Sequence, residues 1–256
     1  MTDDPQAAAN TRMWSRTDLV PSYASRDLRA VETTILLRYR DDLAARVLEL
    51  GCGAGRLTGH LLEVASDVEV VDVSSTMLDA CLRAYPGAHG SLGDIRDLSG
   101  FPDAAYDAIV AGYGVIDVLG DEARRATLTE IRRMLVPGGL LVLSTHNRDA
   151  GADTPLMRCR RSAKEAIYVA MTSPRWLSNR RRLARQEREE PSYAIWNDSS
   201  HDYGALHYYT TRDDQERQLA DVGLVLETCL DLDGREVSAG ARSTSAELHV
   251  LARPAE

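Results

Sequence analysis

A short apolar strand that runs directly into a glycine-rich loop constrains the fold of this chain more than any other feature. Residues 46–50, Arg-Val-Leu-Glu-Leu, have the length and aliphatic character of a buried strand. Gly51-Cys-Gly-Ala-Gly55 follows, and Leu57, Leu61 and Leu62 then recur at helical spacing. In such a unit the glycines let a ligand approach the outward-facing backbone N–H groups of the loop closely. The pattern therefore predicts an α/β fold with a ligand site at this loop.

The alternation of strands and helices continues along the chain. Strands are predicted at 68–73, 106–111 and 140–145, with helices after the first and over 121–135. Two further strands are predicted near 224–232 and 246–252. Alternation of this kind is typical of a mostly parallel sheet covered by helices on both faces.

The chain length fits a single domain with an insertion. Of its 256 residues, 1–22 are predicted to be a flexible N-terminal tail and 23–256 one domain. An N-terminal helix precedes the first strand, because apolar side chains from Leu28 to Leu43 recur on one face. Residues from about 148 to 205 are polar and arginine-rich, and we interpret them as a cap over the substrate rather than a separate domain.

Charge and cysteine content exclude several functional classes. The formal net charge of -9 makes a nucleic-acid partner unfavourable and fits a small acceptor better. No apolar run is long enough to span a bilayer, so we expect no membrane partner and a cytoplasmic location. The 4 cysteines form no C-x-x-C pair, which argues against a disulfide framework, and we expect no metal site. Monomer and homo-oligomer both remain open.

Two acids accompany the glycine loop. Glu49 precedes it on the first strand, and Asp72 ends the second strand, where a carboxylate can accept hydrogen bonds from both hydroxyls of a ribose. Arg56 stands where a dinucleotide fingerprint would have its third glycine, which disfavours a pyrophosphate site. Taken alone, the loop also fits an ordinary tight turn between strand and helix.

Five motifs in order make the resemblance specific. Val47-Leu-Glu-Leu-Gly-Cys-Gly-Ala-Gly-Arg56 resembles the first motif of class I S-adenosylmethionine-dependent methyltransferases, and 70–78 resembles the second. Gly93-Asp94-Ile95 resembles the adenine-binding turn, 106–111 the strand before the active-site loop, and 135–143 the last motif. The match covers less than half of the chain.

The resemblance implies a three-layer Rossmann-like fold with seven strands, the last antiparallel. It implies S-adenosylmethionine as cofactor and S-adenosylhomocysteine as product. It places the following residues around the cofactor: Glu49, Gly51, Cys52, Gly53, Gly55, Arg56, Asp72, Val73, Met77, Gly93, Asp94, Ile95, Ala111 and Gly112.

Candidates for contact with the methyl acceptor lie after strand ends or in the cap. His146 follows the strand at 140–145, where open α/β sheets bind ligands, and is the first choice for a base or an orienting group. Asp117 and Tyr113 follow the strand at 106–111, His201 lies in the cap, and Tyr23 lies at the N-terminus. Each has a structural alternative: strand or helix capping for His146 and Asp117, and sheet packing for the tyrosines near His201 and His207. A metal bound by these two histidines is disfavoured by their spacing.

The function that fits best is methyl transfer to a nitrogen or oxygen of a small molecule, such as a specialised metabolite. The alternatives are an RNA or protein methyltransferase, a Rossmann-type oxidoreductase, and a protein that binds S-adenosylmethionine without catalysis. No Asn-Pro-Pro-Tyr-type motif follows the strand at 106–111, which speaks against amino-group methylation in nucleic acid or protein. Acceptor identity and the choice between N and O are not determined by the sequence.

Overall fold

The computed structural model describes Gln6, Asn10 and residues 27–152 and 162–255. Six helices lie in these ranges: α1 Ala30–Arg38, α2 Thr58–Leu61, α3 Ser75–Ala84, α4 Asp121–Met134, α5 Ala163–Leu183 and α6 Arg212–Asp221. Ten strands accompany them: β1 Arg46–Leu50, β2 Asp67–Asp72, β3 His89–Leu92, β4 Tyr106–Ala111, β5 Leu135–Asn147, β6 Arg188–Glu189, β7 Ala194–Trp196, β8 His207–Thr210, β9 Leu224–Leu230 and β10 Glu247–Pro254.

One twisted sheet forms the centre of the molecule. Strands β3, β2, β1, β4 and β5 are adjacent in that order and parallel. On the other side of β5 lies β10, which runs antiparallel to both β5 and β9. The predicted mostly parallel sheet with an antiparallel last strand is therefore confirmed.

Helices cover both faces of the sheet, as predicted for a three-layer fold. On one face Leu48 and Ile109 pack with Leu128 and Ile131 of α4. On the other face Val47, Val70 and Val110 pack with side chains of α1, α2 and α3, among them Ile35, Leu61 and Leu78. Because successive strand residues point to opposite faces, each strand supplies both cores. Each fully buried aliphatic side chain stabilises the fold by about 1.5–3 kcal/mol.

The number of strands differs from the predicted seven. Strand β5 continues to Asn147, past the end of its pairing with β4 at Leu143, and its open edge there pairs with β8. Strands β7 and β6 extend the sheet from β8. These two strands have only 3 and 2 residues, too few for a pattern of alternation to emerge from the sequence.

The segment predicted as a cap contains regular structure. Helix α5 occupies 21 residues of it, with Pro174 inside the helix. No helix among the described residues combines the length and apolar character that crossing a bilayer requires. Within the predicted tail, Gln6 and Asn10 are buried, and the side-chain amides of both donate to the carbonyl oxygen of Leu206.

Candidate functional site

A cavity of about 540 Å³ opens at the carboxyl ends of β1, β2, β4 and β5. Such a position, outside the strand ends of an open α/β sheet, is where ligands bind in folds of this kind, and the volume suits a small organic ligand. The glycine loop after β1 lines one part of the cavity, and His146 at the end of β5 lines another.

The glycine loop is held tightly against neighbouring strands. Gly51 has a φ of +66°, and a Cβ atom there would lie 2.0 Å from Cγ2 of Val115. The backbone N–H groups of Gly51 and Cys52 both donate to the carbonyl oxygen of Val71, at 2.7 and 3.1 Å. Only glycine fits at Gly51, because both the left-handed backbone and the close packing exclude a side chain.

Asp72 lies beside this loop with its carboxylate fixed by the backbone. One of its oxygens accepts from the N–H of Gly53 and the other from the N–H of Ser74, each at 2.8 Å. Burial raises the pKa of Asp72, while these backbone hydrogen bonds oppose the shift. Each carboxylate oxygen retains further acceptor capacity, so the group is oriented for two adjacent hydroxyls.

Glu49 is the second acid at this end of the cavity. Its side chain is buried and accepts a hydrogen bond from the Thr58 hydroxyl at 2.6 Å. Burial raises the pKa of Glu49 to about 8, against the opposing effect of the Thr58 hydrogen bond. Among the described residues Glu49 has no ion-pair partner, because Arg56, whose charge lowers the pKa of Glu49, is paired with Glu32; a ligand ammonium group would supply a partner.

The predicted adenine side of the site faces the same cavity. Val73, Met77, Asp94 and Ile95 all line it. The Arg96 side chain donates to both oxygens of Asp94 and holds the pKa of that carboxyl below its usual range, although burial opposes this. A hydrogen bond from an adenine amine to Asp94 must therefore share the carboxylate with Arg96.

Three predicted cofactor residues do not line the cavity. A Cβ at Gly55 would lie 2.7 Å from the Tyr85 ring, so this glycine allows close packing inside the domain. Gly93 donates its N–H to the carbonyl oxygen of Asp72, and Ala111 is fully buried in the core. The other predicted cofactor residues, Glu49, Gly51, Cys52, Gly53, Arg56, Asp72, Val73, Met77, Asp94, Ile95 and Gly112, are in the lining.

His146 is oriented by a fully buried carboxylate. Its Nδ1 lies 2.6 Å from Oδ2 of Asp117, and its backbone N–H donates to the same oxygen at 2.8 Å. Arg124, equally buried, donates to the other oxygen of Asp117 at 2.5 Å. The charge of Arg124 and the hydrogen bond with His146 hold the pKa of Asp117 below its usual range despite its burial. Asp117 thus acts behind His146 and does not face the cavity.

A second histidine lies against His146. The rings of His146 and His207 are stacked, with centroids 4.8 Å apart and an angle of 25° between their planes. Nδ1 of His207 lies 2.9 Å from Oδ2 of Asp198, which also accepts from the Tyr209 hydroxyl at 2.6 Å. Both histidines line the cavity, whereas Tyr208 and Tyr209 do not. The tyrosines of β8 therefore pack behind the site and do not line it.

Tyr113 lies at the mouth of the cavity with half of its surface exposed. The guanidinium groups of Arg29 and Arg56 lie over its ring, at 4.3 and 4.8 Å from the centroid. Arg29 is paired with Glu247 and Arg56 with Glu32. Of the remaining predicted acceptor-site residues, His201 lines the cavity, and Tyr23 lies outside the described residues.

Sequence reasoning missed several groups at this site. Arg29, Glu247 and Asp198 carry no local signal, because they come from a helix boundary, the last strand and an irregular loop. Arg124 reads as an ordinary charged residue of an amphipathic helix, yet its side chain is fully buried. Only tertiary contact brings Arg29 and Glu247 to the cavity and places Asp198 and Arg124 behind its two histidines.

The residues at the loop end fit S-adenosylmethionine. Glu49, which has no ion-pair partner among the described residues, suits the ammonium group of the methionyl part, and the oriented carboxylate of Asp72 suits the ribose hydroxyls. Met77 and Ile95 add apolar side chains to the cavity lining, which a flat base can contact.

Comparison with known proteins agrees with this geometry. Residues 47–139 match the model of a methyltransferase domain family. An uncharacterised methyltransferase of Mycobacterium tuberculosis is 38% identical over 106 residues, which are 41% of this chain and 42% of that protein. A dTDP-3-amino-3,6-dideoxy-alpha-D-glucopyranose N,N-dimethyltransferase of Streptomyces fradiae is 28% identical over 56% of each chain. The chain thus spans only about half, or less, of the length of these curated relatives.

Among solved structures, the 1,6-didemethyltoxoflavin-N1-methyltransferase of Burkholderia thailandensis has a similar fold. The TM-score is 0.62 at 13% identity, with 98% of this chain and 88% of that one covered. The fold, the cavity at the strand ends and the family match over residues 47–139 agree with one another. Residues 47–139 therefore form a methyltransferase domain of this family, and the chain as a whole has the fold of S-adenosylmethionine-dependent methyltransferases.

Proposed function

We propose that this protein transfers a methyl group from S-adenosylmethionine to a nitrogen or oxygen atom of a small molecule. The observation that carries the proposal is a single cavity that joins Glu49 and Asp72 at one part to His146 and His207 at another. One pocket can thereby hold a cofactor and an acceptor side by side.

The bound cofactor supplies a sulfonium methyl that is already activated for displacement. The residues of this chain mainly align the two reactants, an effect that can lower the barrier by about 7–11 kcal/mol. Glu49 and Asp72 bind the polar groups of the cofactor, and the glycine loop lets it approach the backbone. Gly112 and Tyr113, directly after β4, also line the cavity.

His146 orients the acceptor in this proposal. Burial lowers its pKa, but the hydrogen bond and charge of Asp117 outweigh burial and raise the pKa to about 9. An imidazole with this pKa is protonated at neutral pH and has no lone pair at Nε2 to remove a proton. A hydrogen-bond donor role fits this state better than the role of general base.

A small acceptor fits the cavity better than a macromolecule. The net charge of -9 opposes approach of a polyphosphate chain. Curated relatives of this chain include proteins named for small acceptors, such as the amino-sugar N,N-dimethyltransferase of Streptomyces fradiae. We assign the acceptor of this chain to the same broad class.

The test is calorimetric titration with S-adenosylmethionine and S-adenosylhomocysteine. We expect micromolar binding by the parent protein and at least about tenfold weaker binding by Asp72→Asn, which loses charged acceptors for two hydroxyls. Asp67→Asn is the matched control, because Asp67 begins the same strand that Asp72 ends and does not line the cavity. The proposal would be overturned if the folded parent protein bound NADH but bound neither S-adenosylmethionine nor S-adenosylhomocysteine.

A further inference from the structure

The stacked rings of His146 and His207 form one part of the cavity lining, and buried carboxylates hold them in place. Each ring has its Nδ1 bound to a buried carboxylate, Asp117 at 2.6 Å and Asp198 at 2.9 Å. Among the described residues, neither Nε2 atom makes a hydrogen bond, and both rings line the cavity. The two Nε2 edges are therefore the polar groups that this pair offers to a ligand.

The charges around this pair favour an anion. Asp117 and Asp198 are buried behind the rings and do not line the cavity. The neighbouring lining groups include the side chain of Ser200, whose hydroxyl can donate a hydrogen bond, and Glu247, which is paired with Arg29. An ammonium group would find no carboxylate here outside an ion pair among the described lining residues. An oxyanion would meet N–H and O–H groups.

The protonation state of His146 agrees with this geometry. Asp117 from the turn after β4, Asp198 from the loop after β7 and Glu247 from β10 together raise its pKa to about 9, against burial. Arg124 faces Asp117 from α4, and Tyr209 faces the His146 ring from β8. At neutral pH the Nε2 atom of His146 therefore carries a hydrogen that it can donate.

A divalent cation fits this pair less well. His146, Asp198 and His207 each have one potential ligand atom within 4.8 Å of the others. A metal ion must lie close to the plane of each imidazole that binds it, and the two ring planes differ by only 25° at a centroid separation of 4.8 Å. No point near the rings lies in both planes. Oδ2 of Asp198 also accepts two hydrogen bonds already.

We propose that the Nε2 edges of His146 and His207 bind an oxyanion of the methyl acceptor, which is therefore an organic acid with a carboxylate, phosphate or phosphonate group. One oxygen of such a group can accept from Nε2 of His146, and a second can accept from Nε2 of His207 when this ring also carries its second proton, a state that a bound anion favours; hydrogen bonds between charged partners are the strong ones. This inference rests on the proposed function and names the class of its acceptor.

The experiment uses the full chain saturated with S-adenosylhomocysteine and labelled with ¹⁵N in its histidines. Methylphosphonate and acetate are titrated as separate probes, and the ring ¹⁵N shifts of each histidine are followed by NMR. We expect one or both anions to shift His146 and His207 while the exposed His89 stays unchanged. The anion that binds more tightly indicates which acid group the acceptor carries.

Variants and pH separate binding at this pair from a nonspecific effect. We expect His146→Asn and His207→Asn each to weaken binding of the anion at least about tenfold. His89→Asn, on the surface strand β3, should leave the anion affinity unchanged. The affinity of S-adenosylhomocysteine and the unfolding temperature show whether each variant is folded. In the parent protein, anion affinity should fall as pH rises through about 9, where His146 loses its proton; this measurement needs no variant.

The outcomes that would overturn the inference are distinct from failure of the proposed function. If S-adenosylhomocysteine binds but neither anion shifts the two rings, the oxyanion site is wrong and the methyltransferase proposal stands. Shifts caused by methylamine or zinc chloride in place of the anions would reassign the pair to an amine or a metal. Absence of S-adenosylhomocysteine binding would remove both proposals together.

Discussion

Glu49 couples the proposed cofactor binding to a proton. Glu49 is 4% exposed, and burial raises the pKa of its carboxyl to about 8. At pH 7 most of the population is therefore protonated, whereas an ammonium group beside it favours the carboxylate. Binding must release the proton, so affinity should rise with pH and level off above about 8.

The proton can be counted directly. S-adenosylhomocysteine is titrated at pH 7 in phosphate and in Tris, whose ionisation enthalpies differ, and we expect the difference to correspond to release of about one proton. Glu49→Gln should abolish the dependence on buffer, and Glu63→Gln, an exposed control, should retain it. A binding enthalpy of the parent that is equal in both buffers would contradict the raised pKa of Glu49.

The loop after β1 fits against the turn at Val115–Val118. Gly51 combines a φ of +66° with a Cβ position only 2.0 Å from Cγ2 of Val115. Gly138 has a φ of +76°, but no atom lies within 4 Å of its Cβ position. A substitution there therefore measures only the cost of placing a side chain on a left-handed backbone. The two glycines separate strain from steric overlap.

We expect Gly138→Ala to lower the free energy of unfolding by about 1–2 kcal/mol, the cost of a left-handed backbone. Gly51→Ala should lose a further 1–3 kcal/mol or so through overpacking. The double variant with Gly51→Ala and Val115→Ala is compared with Val115→Ala alone. The remaining loss of unfolding free energy should be that of the left-handed backbone, because the steric overlap with the Val115 side chain has been removed. Urea unfolding of the four variants gives these differences. Equal losses at Gly51 and Gly138 would show that the loop moves away from the turn.

Elements with a long or regular pattern could be predicted from the sequence. Short stretches of sequence are enough to identify strand β1, the glycine loop after it and the acid at the end of β2. Glu49 and Asp72, which were expected near this loop, both line the cavity. His146 could be found because it follows a predicted strand. The resemblance also assigns Gly55 to the cofactor, but the Cβ position of Gly55 faces Tyr85, a contact that the sequence does not encode locally.

Elements that depend on tertiary contact could not be predicted. Strands β6 and β7 have 2 and 3 residues and exist through pairing that starts from β8. Asp198 follows β7 and reaches His207 across the sheet extension. A single sequence gives no reason to connect these two residues, so the second carboxylate–histidine pair emerged only from the fold.

One buried cluster around Arg124 joins distant parts of the chain behind His146. Arg124 donates to Asp117 at 2.5 Å, to Thr145 at 3.2 Å, to Gln215 at 2.8 Å and to Gln218 at 3.0 Å. These partners belong to the turn after β4, to β5 and to α6. Because Asp117 in turn fixes His146, the position of this histidine at the proposed acceptor site depends on contacts across the domain.

Arg124→Met should therefore destabilise the whole domain. It removes the charged partner of a fully buried carboxylate, a change that typically costs about 3–5 kcal/mol. Arg125→Met is the matched control: Arg125 is the next residue of α4, its ion pairs with Asp121 and Asp221 lie at the surface, and its loss should cost no more than about 1 kcal/mol. Adding Asp117→Asn to Arg124→Met should restore part of the stability, because no uncompensated buried charge remains. Urea unfolding followed by circular dichroism measures all four proteins, and similar losses for Arg124→Met and Arg125→Met would refute a structural role for the buried cluster.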